Sequence, residues 1–329
     1  MKVGIPRGLF YYYYYPLWKT FFQELGAEVV TSAWTNRQTV EKGVEAAVDE
    51  ACFPIKVYFG HVRELCCEPL DYIFIPRLVS VEPRSYICPK FMGLPDMIKA
   101  SLPELPAIID ITVDISKTDR LLKRDIIRVG EIFTHNKHLI KQAYQHGLFQ
   151  LYKCRQLCQD KYNMAEALRM WEGEEIALPA NYNLNLGVLG HGYSLYDQMI
   201  SMNLINRLRQ MGCRVKVVEN LDQDSVEAKA AEIPKRVFWT LGRKSVGSAL
   251  LLESQPEIDG IIYLACFGCG PDSMVGEIIS RKLKTKPFMM ITIDEHTGEA
   301  GMVTRLEAFC DMLQRRKAAV SENYISAYG

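Results

Sequence analysis

The sequence has no excess of charge of either sign. Its 329 residues include 39 basic and 39 acidic side chains, with no long run of one sign. A general nucleic-acid binder or a polybasic membrane-surface protein needs a basic excess, so both classes are excluded. Because 48% of the residues are hydrophobic, the chain can fill a sizeable core, which excludes a disordered protein as well.

Long apolar runs are also missing. No stretch approaches the ~20 apolar residues that cross a bilayer, and the segment from Met1 to Gly8 lacks the basic and apolar regions of a signal peptide. We therefore expect a cytoplasmic protein without a membrane segment, in a compartment where thiols stay reduced. In such a protein ten cysteines are unusual, and their role is the main question that the sequence poses.

A weak internal repeat organises the chain. The first copy begins with an apolar strand at Lys2 and reaches Gly26 after a helix-length segment. The second copy runs in the same way from Leu186 to Gly212, with an amphipathic helix expected over 195–210. In both copies a β-branched strand follows the glycine. Strand, glycine-capped helix and strand is the pattern of a parallel sheet covered by helices.

The repeat predicts an α/β fold of two Rossmann-like lobes with parallel sheets, related by internal duplication and joined by a helical insert. The predicted domains are residues 1–113 (first α/β lobe), 114–180 (helical segment) and 181–329 (second α/β lobe). The insert has no proline between Pro106 and Pro179. Residues 121–171 have helical periodicity, so we expect two or three helices there.

Four cysteines lie at the ends of predicted elements. Cys88 follows a strand of the first copy, and Cys266 and Cys269 follow the matching strand of the second copy. In both copies a helix that opens with Pro-Asp comes next. Cys52 lies where Pro54 is expected to break an amphipathic helix. Because open α/β sheets bind ligands at the carboxyl ends of their strands, these thiols are candidate ligands.

The pair Cys266-x-x-Cys269 has the spacing of two thiolates on one metal centre. Alone it is compatible with a zinc site, an iron–sulfur site or a redox dithiol. Structural zinc usually uses two close pairs from one local knuckle. Here two single cysteines come from the first half and one pair from the second, which favours a cluster over zinc.

Four of the other six cysteines are expected to pack in the core, as free cysteine usually does. Two of these lie four residues apart on a predicted helix, one opens a strand, and one lies on the last helix: Cys154, Cys158, Cys213 and Cys310. Cys66 and Cys67 are adjacent near a loop and are expected to be exposed or packed, with auxiliary metal ligation as a further alternative.

A set of motifs resembles the 2-hydroxyacyl-CoA dehydratase and benzoyl-CoA reductase subunit superfamily. Within it, the chain is similar to the branch associated with, or fused to, the ATP-dependent CoA-enzyme activase. The likeness covers nearly the whole chain except the helical middle. The motifs lie at residues 4–9, 49–54, 86–90, 266–272, 294–299 and 304–309.

The resemblance implies a [4Fe–4S] cluster, or a related double-cubane cluster, held by Cys52, Cys88, Cys266 and Cys269. It implies a redox protein that accepts low-potential electrons from an ATP-dependent activase or reductase protein. Such a protein would reduce or dehydrate an acyl-CoA or another small substrate, as a lyase or reductase component. Two alternatives stay open: a non-catalytic electron relay or scaffold partner of the activase, and a zinc-stabilised binding protein. Relatives pair two such subunits, so a homodimer is one expected assembly.

Three residues are candidate proton donors. Glu295 and His296 follow the last predicted strand, where a solvated polar loop is an equal alternative. His191 lies between two glycines after the first strand of the second copy. That Gly-His-Gly segment lacks the full dinucleotide fingerprint, so no NAD site is inferred.

Three arginines lie in loops at the expected strand ends: Arg7, Arg77 and Arg84. They are candidates for contacts with CoA phosphates or with the charge of a cluster. For each of them an ordinary surface arginine is the favoured alternative, because charged side chains are mostly exposed.

Overall fold

Two parallel four-stranded sheets, one in each of two structural units, carry the fold. The computed structural model describes residues 1–159 and 161–326. The first unit comprises Met1–Glu175 and Val237–Leu241, and the second comprises Ile176–Arg236 and Gly242–Gly329. The predicted α/β fold with a parallel sheet in each half is confirmed.

The first unit contains six strands and eight helices among its described residues. The strands are β1 (Lys2–Ile5), β2 (Glu28–Thr31), β3 (Tyr72–Phe74), β4 (Arg77–Ser80), β5 (Ala107–Ile109) and β6 (Thr112–Asp114). The helices are α1 (Tyr11–Glu24), α2 (Arg37–Ala46), α3 (Phe53–Leu65), α4 (Pro89–Met92), α5 (Leu94–Ser101), α6 (Arg120–Gly130), α7 (Lys137–Gln156) and α8 (Met164–Trp171). The main sheet has the order β2-β1-β3-β5, and β4 and β6 form a small parallel pair.

The second unit has four strands and six helices among its described residues. The strands are β7 (Leu184–Gly190), β8 (Cys213–Lys216), β9 (Gly260–Cys266) and β10 (Phe288–Ile293). The helices are α9 (Gly192–Leu195), α10 (Leu204–Gln210), α11 (Gln223–Ala231), α12 (Thr240–Ser254), α13 (Gly270–Lys282) and α14 (Glu299–Ser326). Of α12, residues from Gly242 onward belong to this unit.

The two main sheets share one topology. The order in the second unit is β10-β9-β7-β8. In both units the first strand in the chain therefore pairs with the second and the third, and the fourth lies beyond the third. All of these pairings are parallel. The shared topology is what a duplicated strand–helix–strand sequence produces.

Glycine ends the first long helix of each copy, as the sequence predicts. Gly26 follows α1 with φ +83°, and Gly212 follows α10 with φ +80°. The Gly26 N–H donates to the carbonyl of Gln23, and the Gly212 N–H donates to that of Arg209. This left-handed conformation strains residues with a Cβ atom, which explains glycine at both positions.

The predicted helix over 195–210 is wrong as a single element. The structure has the short helix α9, a turn, and then α10. Met202 and Asn203 adopt positive φ values of 49° and 59°, which no right-handed helix tolerates. The Asp197 carboxylate accepts the N–H groups of Met199 and Ile200 before the break. A hydrophobic period detects the apolar face here, but not the turn that interrupts it.

Three helices, α6, α7 and α8, lie between β6 and β7, as the sequence predicts for the insert. They belong to the first unit, where α7 packs against α1. A Cβ atom at Gly147 on α7 would lie 2.6 Å from the Leu17 carbonyl oxygen of α1, so the two helices are in backbone contact. The three-part division at residues 113 and 180 stays a prediction. Within the described residues, no helix has the length and hydrophobicity needed to span a membrane.

Candidate metal centre

The four cysteines singled out by the sequence all lie at ends of elements. In the first unit, Cys52 is the N-cap of α3 and Cys88 is the N-cap of α4. In the second unit, Cys266 is the last residue of β9 and Cys269 is the N-cap of α13. All but the half-buried Cys88 are buried. Their joint ligation of one cluster stays a prediction.

For Cys52 the structure corrects the local prediction. Pro54 does not break a helix that holds Cys52. Helix α2 ends at Ala46, and Pro54 lies in the first turn of the next helix, α3. Proline fits the first turn because the N–H that it lacks has no intrahelical partner there.

Three of these cysteines share one local pattern. Each of Cys52, Cys88 and Cys269 has extended φ and ψ angles and precedes a helix with proline at its first or second position. The first turn of a full-length helix such as α3 or α13 carries partial positive charge from its free N–H groups. Negative charge on a sulfur at that position, as in a ligating thiolate, is therefore favoured.

Three potential ligands converge in the second unit. His191, Cys269 and Asp272 each offer one ligand atom, and these atoms all lie within 4.8 Å of one another. His191 follows β7, and the other two residues lie at the start of α13. All three are buried, Asp272 almost completely at 1% exposure.

Asp272 is the most strongly held member of this group. Its Oδ2 accepts the backbone N–H of Cys266 at 3.1 Å, and its Oδ1 accepts the hydroxyl of Tyr263 at 2.8 Å. His191 Nδ1 lies 3.3 Å from the same Oδ1. Burial and the neighbouring carboxylate raise the pKa of Tyr263 well above its usual value, so its hydroxyl stays protonated and donates.

His191 is fixed by its neighbours. A hydrogen bond of 2.8 Å joins its Nδ1 to the hydroxyl of Tyr193. The preceding Gly190 has φ +142°, and a Cβ atom there would lie 2.4 Å from the Leu264 carbonyl oxygen of β9. Glycine is therefore required where β7 ends. The close approach of β7 to β9 at Gly190 fixes the backbone from which the His191 side chain extends.

Cys266 lies beside the group. Its thiol donates to Ser194 Oγ of α9 at 3.4 Å. Its carbonyl accepts the N–H of Cys269 at 3.1 Å, and the intervening Gly268 has φ +73°. The Cys-x-x-Cys segment thus forms a tight turn between β9 and α13, with Cys269 turned into the three-residue group.

A thiolate, an imidazole and a carboxylate form a donor set for a divalent transition metal. Zinc and ferrous iron both accept these ligands. Three protein ligands leave a further position open, which is typical of metal sites that bind an exchangeable group.

Glu295 and His296 are not part of this group. They follow β10 in a loop closed by Asp294, whose Oδ1 accepts the His296 N–H at 3.0 Å and the Thr297 hydroxyl at 2.7 Å. The hydroxyl of Thr297 holds the pKa of Asp294 below its usual value. His296 is exposed. Their role as proton donors stays a prediction, whereas His191 is brought to the candidate centre.

The three arginines differ in how many contacts their guanidinium groups make within the protein. Arg77 donates to Asp96 Oδ2 at 2.7 Å and to the Met92 carbonyl at 2.6 Å. Arg84 is exposed and has φ +57°. Arg7 donates through Nη2 to Thr31 Oγ1 at 2.8 Å and stacks on the Trp34 ring at 4.0 Å, while its buried Nε–H has no hydrogen-bond partner within the described residues.

Sequence reasoning missed Asp272 as a candidate ligand and treated it only as the residue that opens a helix. Tyr263, Tyr193 and Ser194, which support the group, were missed entirely. The signal for Asp272 was its place three residues after Cys269, because the N-cap and N3 positions of a helix lie on the same side of its first turn.

The sequence matches a protein family over most of the chain. The family model, described as "CoA enzyme activase uncharacterised domain", covers residues 2–221. The chain belongs to this family. The match supports the expected relation to acyl-CoA dehydratase activases, but it does not confirm membership of the dehydratase and benzoyl-CoA reductase subunits.

Other comparisons add little. No curated protein matches the sequence significantly. Among solved structures, the crystal structure of glutamate racemase isoform RacE1 from Bacillus anthracis aligns with 94% of this chain and 82% of its own. The identity is 12% and the TM-score 0.22, which is too low to support a common fold.

The family description corrects the predicted function. The sequence led us to expect an iron–sulfur protein that accepts electrons from an activase and converts an acyl-CoA, with a docked relay or a zinc-stabilised binding protein as alternatives. The redox protein and the relay were both expected to act as partners of an activase. The matching family is a domain of the activase itself, so that prediction is wrong.

Proposed function

We propose that this chain is a metal-binding domain of CoA-enzyme activase, and that Cys269, His191 and Asp272 hold a divalent transition-metal ion in the second unit. The observation that carries the proposal is the convergence of three different buried donors within 4.8 Å. Buried ionisable groups are costly unless they are paired or bind a metal. Two of the three donors come from one turn of α13, and the third comes from the neighbouring strand end.

His191 would bind the ion through one ring nitrogen, and Asp272 through one carboxylate oxygen. His191 Nδ1 and Asp272 Oδ1 lie 3.3 Å apart, a separation that one bound ion can bridge. The Asp272 carboxylate would also neutralise positive charge at the centre. The bound metal would act as a Lewis acid or redox ion at the carboxyl ends of β7 and β9, the edge where open parallel sheets bind ligands.

An iron–sulfur cluster is the second cofactor proposal. Its ligands in the second unit would be Cys266 and Cys269, and in the first unit Cys52 and Cys88 are the predicted thiols. What supports it is the position of all four at element ends. The measurement that separates it from a single metal ion is acid-labile sulfide, which only the cluster contains.

The test is metal analysis of anaerobically purified protein, reconstituted in turn with ferrous iron and with zinc. We expect about one metal ion per chain, with no acid-labile sulfide. Binding of cobalt(II) in the same site should give near-ultraviolet thiolate charge-transfer bands together with visible d–d bands. His191→Ala and Cys269→Ala should lose the metal and these bands.

Asp272→Asn tests the carboxylate with its shape preserved. Asp125→Asn is the matched control, because Asp125 is also buried and also accepts a backbone N–H, that of Thr112 at 3.1 Å. We expect metal affinity to fall at least tenfold in Asp272→Asn and to stay unchanged in Asp125→Asn. Equal metal content in wild type and in all three site variants would refute the site.

The proposed partner is a component of an acyl-CoA dehydratase, with a CoA thioester as the substrate of the activated enzyme. The support for this is the family description. The check is the turnover of an activase-dependent dehydratase with metal-loaded and metal-free protein. Turnover that does not respond to the metal state would count against a role for the centre in activation.

A further inference from the structure

A second pair of thiols lies in the second unit. Cys213 is the first residue of β8, the edge strand of the sheet, and Cys310 lies in α14. Their Sγ atoms are 3.6 Å apart although the residues are 97 positions apart in the sequence. Both residues are buried, with exposures of 0% and 3%. Neither belongs to the candidate metal centre.

The helix and the sheet are held together by contacts that do not involve the thiols. A Cβ atom at Gly260, where β9 begins, would lie 3.0 Å from Leu313 Cδ1, so α14 lies close to the sheet. Lys317 Nζ donates to the Asn183 carbonyl at 2.9 Å and pairs with Asp259 at 3.2 Å. The thiol pair therefore lies between two elements whose relative position is already fixed.

The electrostatics make the two thiols unequal. The hydrogen bond between the two thiols lowers the pKa of Cys310 and raises the pKa of Cys213. The negative charges of Asp259 and Asp311 oppose ionisation of the pair. Cys310 is thus the thiol that ionises first, and a thiolate is the nucleophile in disulfide exchange.

We propose that Cys213 and Cys310 form an oxidant-responsive disulfide that pins α14 to the edge strand β8. The oxidant class is a low-molecular-weight disulfide, represented by glutathione disulfide. The Cys310 thiolate attacks one sulfur, the disulfide bond of the oxidant breaks, and one glutathione thiolate leaves. Cys213 then attacks the Cys310 sulfur and expels the second glutathione, which takes up the Cys213 proton. In balance, two protein thiols are oxidised and one glutathione disulfide is reduced to two glutathiones.

The geometry is close to that of the product. A disulfide bond is about 2.05 Å long, so the sulfur atoms must approach by about 1.5 Å from their separation of 3.6 Å. Because both thiols are buried, the oxidant reaches Cys310 only during local opening of α14. The reaction is therefore slower than glutathionylation of the exposed Cys67.

The experiment equilibrates the reduced full chain with mixtures of reduced and oxidised glutathione, followed by alkylation, proteolysis and mass spectrometry. We expect a peptide pair linked through Cys213 and Cys310, and no alkylation of either of these two thiols. The urea midpoint of the oxidised protein should shift upwards, because the new bond restricts the unfolded chain. Cys154→Ser is the matched control: it removes another buried thiol and should leave the linked peptide intact.

Cys213→Ser tests the order of attack. Without the second thiol, Cys310 should accumulate as a mixed disulfide with glutathione, and the urea midpoint should no longer rise on oxidation. If the folded wild-type protein gives no linked peptide once Cys67 is fully glutathionylated, the proposal fails. It fails equally if the linked peptide forms only in denaturant, or forms without a shift of the midpoint. Because wild type alone gives these results, an unstable variant does not block the test.

Discussion

Helices α2 and α3 approach so closely that a single methyl group should force them apart. A Cβ atom at Gly60 of α3 would lie 1.9 Å from the Thr39 carbonyl oxygen of α2. A Cβ atom at Gly43 of α2 would lie 2.0 Å from the Lys56 carbonyl oxygen of α3. Both obstacles are backbone atoms inside helices, so no side-chain rotation relieves the clash. We therefore expect Gly60→Ala to destabilise the first unit.

The size of the effect follows from the distances. Ordinary contact begins near 3.4 Å, whereas the added methyl of Gly60→Ala would start at 1.9 Å. The helices must separate by about 1.5 Å, which also loosens the contacts along the rest of their interface. Overpacked sites typically cost 1–3 kcal/mol, and a backbone obstacle belongs at the upper end, so we expect a loss of about 3 kcal/mol in the free energy of unfolding.

Urea unfolding of wild type and Gly60→Ala gives the measurement, followed through the tryptophan fluorescence. Gly301→Ala on the exposed side of α14 is the control, because its methyl group meets nothing within 4 Å. There the higher helix propensity of alanine should stabilise the protein by up to about 1 kcal/mol. A stability of Gly60→Ala within about 0.5 kcal/mol of wild type would show that the two helices are not in backbone contact.

Two further predictions concern the first unit. Asn163 and Glu166 cap α8 reciprocally, each side chain accepting the other's backbone N–H at 3.0 and 2.8 Å, so Asn163→Ala should cost about 1 kcal/mol in urea unfolding. Burial and the charge of Arg7 lower the pKa of His61 from 6.5 to about 3, although the Glu64 carboxylate at 3.9 Å opposes the shift. Below pH 6.5 the unfolded chain therefore binds a proton that the folded chain does not. The free energy of unfolding decreases as the pH is lowered, by up to about 2 kcal/mol at pH 5. His61→Gln should lose this pH dependence, and an unchanged slope between pH 7.5 and 5 would contradict the assignment.

The repeated strand–helix–strand pattern could be predicted because its signals are local. The glycines at 26 and 212 end helices through a backbone conformation that other residues rarely adopt. The break at Met202 and Asn203 could not be predicted in the same way, because neither residue demands a positive φ. There the tertiary fold imposes the conformation, and the hydrophobic period continues across it.

The error at Cys52 has a similar physical origin. Proline is incompatible with the interior of a helix but well suited to its first turn. The sequence alone therefore leaves open whether Pro54 ends one helix or begins the next. The structure places Pro54 in the first turn of α3, so Cys52 is the N-cap residue of that helix and does not lie at the end of α2.

The candidate metal centre shows where sequence reasoning stops. His191 and Cys269 could each be singled out, because each follows a predicted strand. Their proximity depends on the sheet order, in which β7 and β9 are neighbours, and on the register that pairs Gly190 with Leu264.

The duplication predicts two similar sheets, but the chemistry at the strand ends is not duplicated. β1 is followed by Arg7, whose guanidinium stacks on an indole ring, whereas β7 is followed by a histidine beside a thiol and a carboxylate. A duplicated fold thus conserves the edge at which ligands bind while each copy supplies different donors. Substitutions at His191 should therefore affect metal binding and leave the first sheet unchanged.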